Sequence, residues 1–153
     1  MSQQPTLRLN RANLQHSNIL AELHTACFPR GWSSAQFDSF FERDGIISFI
    51  AECDDEPIGF VFCWVVAGEC ELLSLAVLEP WRKQGIATEL LNEAIRWCKT
   101  QDASVMHLEV AVSNKAAQEL YMLQGFEMVS RRKDYYHYPD GTCEDAVTMR
   151  CDL

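Results

Sequence analysis

The chain has 153 residues, enough for one domain with a sizeable core, and its 48% hydrophobic and 23% charged residues are those of an ordinary globular protein. A formal net charge of -9 argues against nonspecific nucleic-acid binding and favours a cationic substrate, the one basic exception being Arg131-Arg132-Lys133. No apolar run is long enough for a membrane span, and the polar start Met1-Ser2-Gln3-Gln4-Pro5 has no signal-peptide character, so a cytoplasmic protein is expected.

In chain order, Thr6 to Asn10 alternates as a first strand, and His16 to Phe28 carries Ile19, Leu20, Leu23 and Phe28 at helical spacing. Pro29-Arg30-Gly31 breaks that helix. A second, short one runs through Phe37, Phe40 and Phe41 with Ser33 as N-cap. Ile46 to Glu52 and Ile58 to Val66 flank the turn Asp54-Asp55-Glu56-Pro57 as an antiparallel hairpin, and Gly68 precedes a third strand, Cys70 to Leu78. A helix from about Thr88 to Lys99 follows, with Leu90, Leu91, Ala94, Ile95 and Cys98 on one face. Val105 to Val112 is a strand and Lys115 to Leu123 a short helix ending near Gly125. Two last strands, about Phe126 to Arg132 and Asp145 to Cys151, flank Pro139-Asp140-Gly141. With no linker or repeat, residues 1–153 read as a single α+β domain with a mixed sheet.

The most informative stretch is Arg82-Lys83-Gln84-Gly85-Ile86-Ala87, between an apolar strand and an amphipathic helix. A helix entered from such a turn offers unpaired backbone N–H groups and the positive end of its dipole, which together hold a phosphate or pyrophosphate. The turn fits neither the ATP-binding G-x-x-x-x-G-K-[ST] loop nor the dinucleotide-binding G-x-G-x-x-G turn.

Seven cysteines, an odd count without a C-x-x-C pair, read as small buried hydrophobes in a reducing compartment, and four scattered histidines give no ligand spacing, so no metal is expected. Cys143 is the best candidate for a cysteine nucleophile, but the sequence shows no convincing histidine partner for it.

Arg82-x-x-Gly85-x-Ala87, followed by Ser113-Asn114-x-Ala116-Ala117-x-x-Leu120-Tyr121-x-x-x-Gly125-Phe126, resembles the two motifs of the GNAT N-acetyltransferases. The likeness covers nearly the whole chain. Within that superfamily, Phe28-Pro29 with Trp32-Ser33, Leu108-Glu109-Val110, and Arg131-Arg132 before Tyr135-Tyr136 are similar to the bacterial ribosomal-protein-alanine branch (RimI type). The resemblance implies a mostly antiparallel sheet whose central parallel strand pair splays apart, flanked by helices, with acetyl-CoA in the cleft. It implies backbone contacts from Leu75, Ala76 and Val77 to the pantetheine arm, and a pyrophosphate wrapped by Lys83, Gln84, Gly85, Ile86, Ala87 and Thr88. Arg82 belongs to the same turn, as a cofactor contact or a solvated residue. By resemblance Asn114 touches the cofactor near the reacting centre, Glu109 is the general base and Tyr121 the general acid.

Each role has a plainer alternative. Glu109 alternates with Leu108 on a strand and would otherwise be a solvent-facing glutamate; Tyr121 would cover the sheet; Asn114 would cap its helix. Tyr135 and Tyr136 are either packing near a strand end or one wall of a peptide groove, with Trp32 the opposite wall. Arg30-Gly31, Ala111 (where an arginine is common) and His137-Tyr138 depart from the family pattern in the region that sets acceptor choice. The expected acceptor is the N-terminal amine, an alanine, of a ribosomal protein; a lysine side chain or small amine, and an inert coenzyme-binding sensor, are the alternatives. A monomer or weak dimer, without membrane or direct nucleic-acid partner, completes the expectation.

Overall fold

Alternation along the strands decides how this chain layers. In a computed structural model that describes residues 6–153, strand β3 (Glu56–Val66) sends Phe60 and Phe62 to one face and Val61 and Cys63 to the other, all four fully buried. Its neighbour β2 (Ile46–Cys53) does the same, with Ile47, Phe49 and Ala51 on one face and Ile50 on the other. A strand buried on both faces needs helices on both. Helix α3 (Ile86–Thr100) covers the first face with Leu90, Leu91, Ala94 and Cys98, all at zero exposure. Helices α1 (Ser17–Cys27) and α2 (Ser34–Phe41) cover the second with Leu20, Leu23 and Phe37. The polar segment 1–5 lies outside the described residues.

Ser33 caps α2 as expected, its hydroxyl accepting from Gln36 N while the Gln36 side chain accepts from Ser33 N. β1 (Leu7–Arg11), β4 (Glu69–Val77), β5 (Val105–Ala111), β6 (Glu127–His137) and β7 (Cys143–Asp152) complete a seven-stranded sheet of order β1-β2-β3-β4-β5-β7-β6. Among the described strands only β4 and β5 pair in parallel, joined through α3 as such a crossover requires. Helix α4 (Lys115–Leu123) follows β5.

The last hairpin is longer than its sequence pattern predicts. β6 continues past Arg132 to His137 by way of an irregularity between Arg132 and Tyr136, where Asp134 takes a positive φ of 51°. That kink lets a strand run through a charged stretch without burying it. No helix among the described residues is long and apolar enough to cross a membrane.

Candidate active site

Two strands that part company make the site. β4 and β5 pair only from Glu69–Leu72 against Val105–Leu108. Beyond that point β4 stays with β3 as far as Val77, and β5 stays with β7 as far as Ala111. The β3–β4 register slips by one residue between Phe62 and Cys63, which leaves Leu73 without a partner. This bulge bends β4 away where the cleft opens. The β4 edge at Leu75, Ala76 and Val77 therefore faces the opening without a neighbouring strand, and its backbone groups are free to pair with an extended ligand.

One side of the cleft, a cavity of about 580 Å³, runs from that edge to the N-terminus of α3, and Leu75, Ala76, Val77, Lys83, Ile86, Ala87 and Thr88 line it. Gly85 stands at the N-cap position with φ +81°, and no side chain caps the first turn. A Cβ built on Gly85 meets nothing within 4 Å, so the space before the free N–H groups is open and of the polarity an anion needs. Arg82 borders this cavity, but its Nε donates to the Val77 carbonyl at 2.8 Å, tying the turn to the end of β4. Gln84 is not among the lining residues; its side chain turns back toward the Pro80 carbonyl at 3.5 Å.

The other side is a cavity of about 530 Å³ bordered by Trp32, Glu109, Tyr135 and Tyr136. Tyr121 and Asn114 border both. Asn114 caps α4, its Oδ1 accepting from Ala117 N at 3.1 Å, so the capping role coexists with a place in the cleft. Tyr121 is 7% exposed, and burial pushes its phenol pKa well above the usual tyrosine range. It is a protonated donor at any physiological pH. Glu109 lies opposite the buried Leu108 and Val110. Its Oε1 accepts from Arg132 Nη1 at 2.5 Å, while Oε2 is buried and unpartnered. A buried carboxylate oxygen without a partner is costly, and a bound ammonium or water would satisfy it.

One wall of this second cavity belongs to β6. The Arg132 guanidinium lies 4.6 Å above the Tyr135 ring, which meets Tyr136 edge-on at 5.0 Å. Burial raises both phenols, so the two rings stay neutral beside the Arg132–Glu109 pair. Trp32 forms part of the facing wall, stacked at 4.5 Å on His24.

Three features escape sequence reading. His24 underlies Trp32: its Nδ1 accepts from Trp32 N at 3.0 Å, and burial lowers its pKa to about 4. Glu144 joins two loops, accepting from Ser113 N at 3.0 Å and from the Tyr138 hydroxyl; these bonds hold its carboxyl below the usual range. Cys143, which shows no histidine partner in sequence, has one: His137 Nδ1 lies 3.1 Å from its Sγ, directly across the β6–β7 pair. His137 borders the second cavity and Cys143 does not. The period-2 register of a hairpin was the available signal, hidden because β6 continues past its charged stretch.

The chain matches the acetyltransferase (GNAT) family over residues 17–126. It is 40% identical over 95 residues to the ribosomal protein bS18-alanine N-acetyltransferase of Haemophilus ducreyi, a match covering 62% of this chain and 66% of that one. It is 30% identical over 159 residues to the N-alpha-acetyltransferase of Sulfurisphaera tokodaii, covering 95% and 93%. The crystal structure of the ribosomal-protein-S18-alanine N-acetyltransferase of Escherichia coli superposes with a TM-score of 0.88 at 25% identity, covering 97% of this chain and 94% of that one. A sheet splayed at its one parallel pair, a helix N-terminus open to an anion and these relatives agree: the chain is an acetyltransferase of the GNAT family.

Proposed function

We propose that the chain transfers acetyl from acetyl-CoA to the N-terminal α-amine of a ribosomal protein, an alanine, by direct attack in a ternary complex. The observation that carries this reading is the junction of the two cavities. Tyr121 and Asn114 stand on their shared border, and the unpartnered Glu109 oxygen stands on the acceptor side. Acetyl-CoA supplies an acyl group already activated as a thioester.

The residues supply positioning and protons. The β4 edge and the open turn at Gly85 fit the pantetheine arm and the pyrophosphate; a Cβ there would face the ligand. An α-amine has a pKa of about 8 against about 10.4 for lysine, so a modest base suffices to free its lone pair. Glu109 accepts that proton through Oε2, directly or through one water. Arg132 holds Oε1 and so fixes which oxygen faces the amine. Tyr121, kept protonated by its burial, donates at the departing sulfur. The aromatic wall of Tyr135 and Tyr136, facing Trp32, suits a short peptide rather than a lone small amine.

Coenzyme A release is measured with three matched peptides: one with free N-terminal alanine, one with that terminus blocked, and one blocked but carrying lysine. Turnover confined to the free terminus is expected. Turnover on the blocked lysine peptide moves the acceptor to a side chain, and failure of all three with retained acetyl-CoA binding removes the peptide reading. Tyr121→Phe and Glu109→Gln should each lower kcat by about 10²- to 10⁴-fold with little change in coenzyme affinity. Unchanged rates would remove those roles.

A further inference from the structure

Three of the seven cysteines, far apart in sequence and without ligand spacing, converge inside the fold. Cys63 on β3, Cys70 on β4 and Cys98 in the last turns of α3 all face the layer between sheet and helix, each at most 1% exposed. Their three Sγ atoms lie within 4.8 Å of one another, and Cys70 Sγ is 3.0 Å from Cys98 Sγ. Cys70 pairs with Val65 and Cys63 with Leu72, so the two strand thiols are diagonal neighbours on one face, and α3 lowers the third onto them. No histidine or carboxylate joins the group among the described residues.

We propose that Cys63, Cys70 and Cys98 form a three-sulfur site for a soft monovalent ion, copper(I). Thiolates select copper(I), zinc and iron–sulfur clusters among biological metals. Zinc in a structural site wants four ligands, and this dry layer supplies only three. With metal–sulfur bonds of about 2.3 Å, a trigonal set has its sulfurs ~4 Å apart, inside the observed spread once the Cys70–Cys98 pair opens by about 1 Å. Binding releases thiol protons. All three sulfurs bind as thiolates, so three protons leave as Cu⁺ enters and the site carries a net charge of −2. Arg11, whose guanidinium lies 5.2 Å from the Trp97 ring beside Cys98, brings a positive charge to that helix end. The ion would clamp β3, β4 and α3 together behind the point where β4 turns into the cleft.

The test uses the full-length, fully reduced protein under nitrogen, with copper(I) presented as its bicinchoninate complex. The expected result is one equivalent of copper(I) withdrawn from the chelator and a Tm raised by about 5–10 °C at a hundredfold excess over Kd. Cys63→Ala, Cys70→Ala and Cys98→Ala should each weaken binding at least tenfold, while Cys143→Ala and Cys27→Ala leave it unchanged. X-ray absorption on the wild-type complex, which needs no core variant to fold, should show three sulfurs at one short distance. Binding that persists without a core thiol, that disappears with Cys143, or that shows nitrogen ligation would overturn the site. So would an equal or larger Tm rise with zinc.

Discussion

Strand β3 buries six consecutive residues, Ile58 to Cys63, between two layers of helices, whereas β6, equally long, leaves every residue but Tyr136 exposed. The first belongs to the half of the sheet that shapes the coenzyme side of the cleft, the second to the acceptor side. Phe62 alone has Phe37, Phe40 and Phe41 within 5.3 to 5.6 Å, ring to ring. β6 carries instead ion pairs at the surface, Arg131 with Asp145 of β7 at 2.6 Å and Arg132 with Glu109 of β5 at 2.5 Å. Close-packed rings fix a shape; half-exposed ion pairs contribute roughly 0–1 kcal/mol each and let a shape adjust. A coenzyme is the same in every turnover and suits a rigid wall, while acceptors differ and suit a wall that can be rebuilt by a few substitutions.

The sharpest way to break this contrast is to empty the rigid half. Phe62→Ala should cost about 3–5 kcal/mol, from lost burial plus the cavity left among the neighbouring rings. Urea unfolding measures it, and a loss below about 1 kcal/mol would mean that the two halves are equally plastic.

Acid should act next, on the aromatic layer where it carries the Trp32 wall of the second cavity. His24 is buried at 4% exposure beneath Trp32 with its pKa lowered to about 4, against about 6.5 unfolded. Between those values the unfolded chain binds the extra proton, so stability is complete above pH 6.5 and falls as pH drops toward 4, by ~2–3 kcal/mol in all. Denaturation at pH 7 and pH 4.5 reads the slope, and His24→Gln should flatten it. An unchanged slope would show that the His24–Trp32 stack is not what titrates.

On the β6 wall the effects shift from stability to rate. Arg132→Gln removes the group that holds Glu109 Oε1 and stacks on Tyr135. Stability should change by less than about 1 kcal/mol, since the pair is half exposed. kcat/KM for peptide should fall about tenfold, with KM for acetyl-CoA constant. Arg132→Lys should restore part of the loss by keeping the charge while losing the planar fork.

How much of this was legible in sequence divides along the same line. Periodicity placed α3, β5 and the capped α2, because each is decided by which residues within one segment are apolar. The motif carried by Gly85 marked the open, uncapped turn that starts α3. What could not be read depends on pairing between distant segments. The bulge at Leu73 exists only relative to β3, and β7 comes last in the chain yet lies between β5 and β6. The Cys143–His137 contact and the His24–Trp32 stack likewise follow from register and packing. No local pattern encodes them.

The smallest effect expected is the most direct measure of the acceptor wall. Tyr135 is 43% exposed at the surface of β6 and contributes little to the core. Tyr135→Leu should leave stability within about 0.5 kcal/mol and raise the KM for peptide a few-fold, as an aromatic face is lost from the groove. Because its ring also lies under the Arg132 guanidinium, the loss should be smaller in the Arg132→Gln background than alone. If the two effects simply add, the stack is incidental and Tyr135 touches the acceptor by itself. Non-additivity would mean that the base, its arginine and the groove wall act as one unit, so that changing the acceptor and tuning the base are the same structural event.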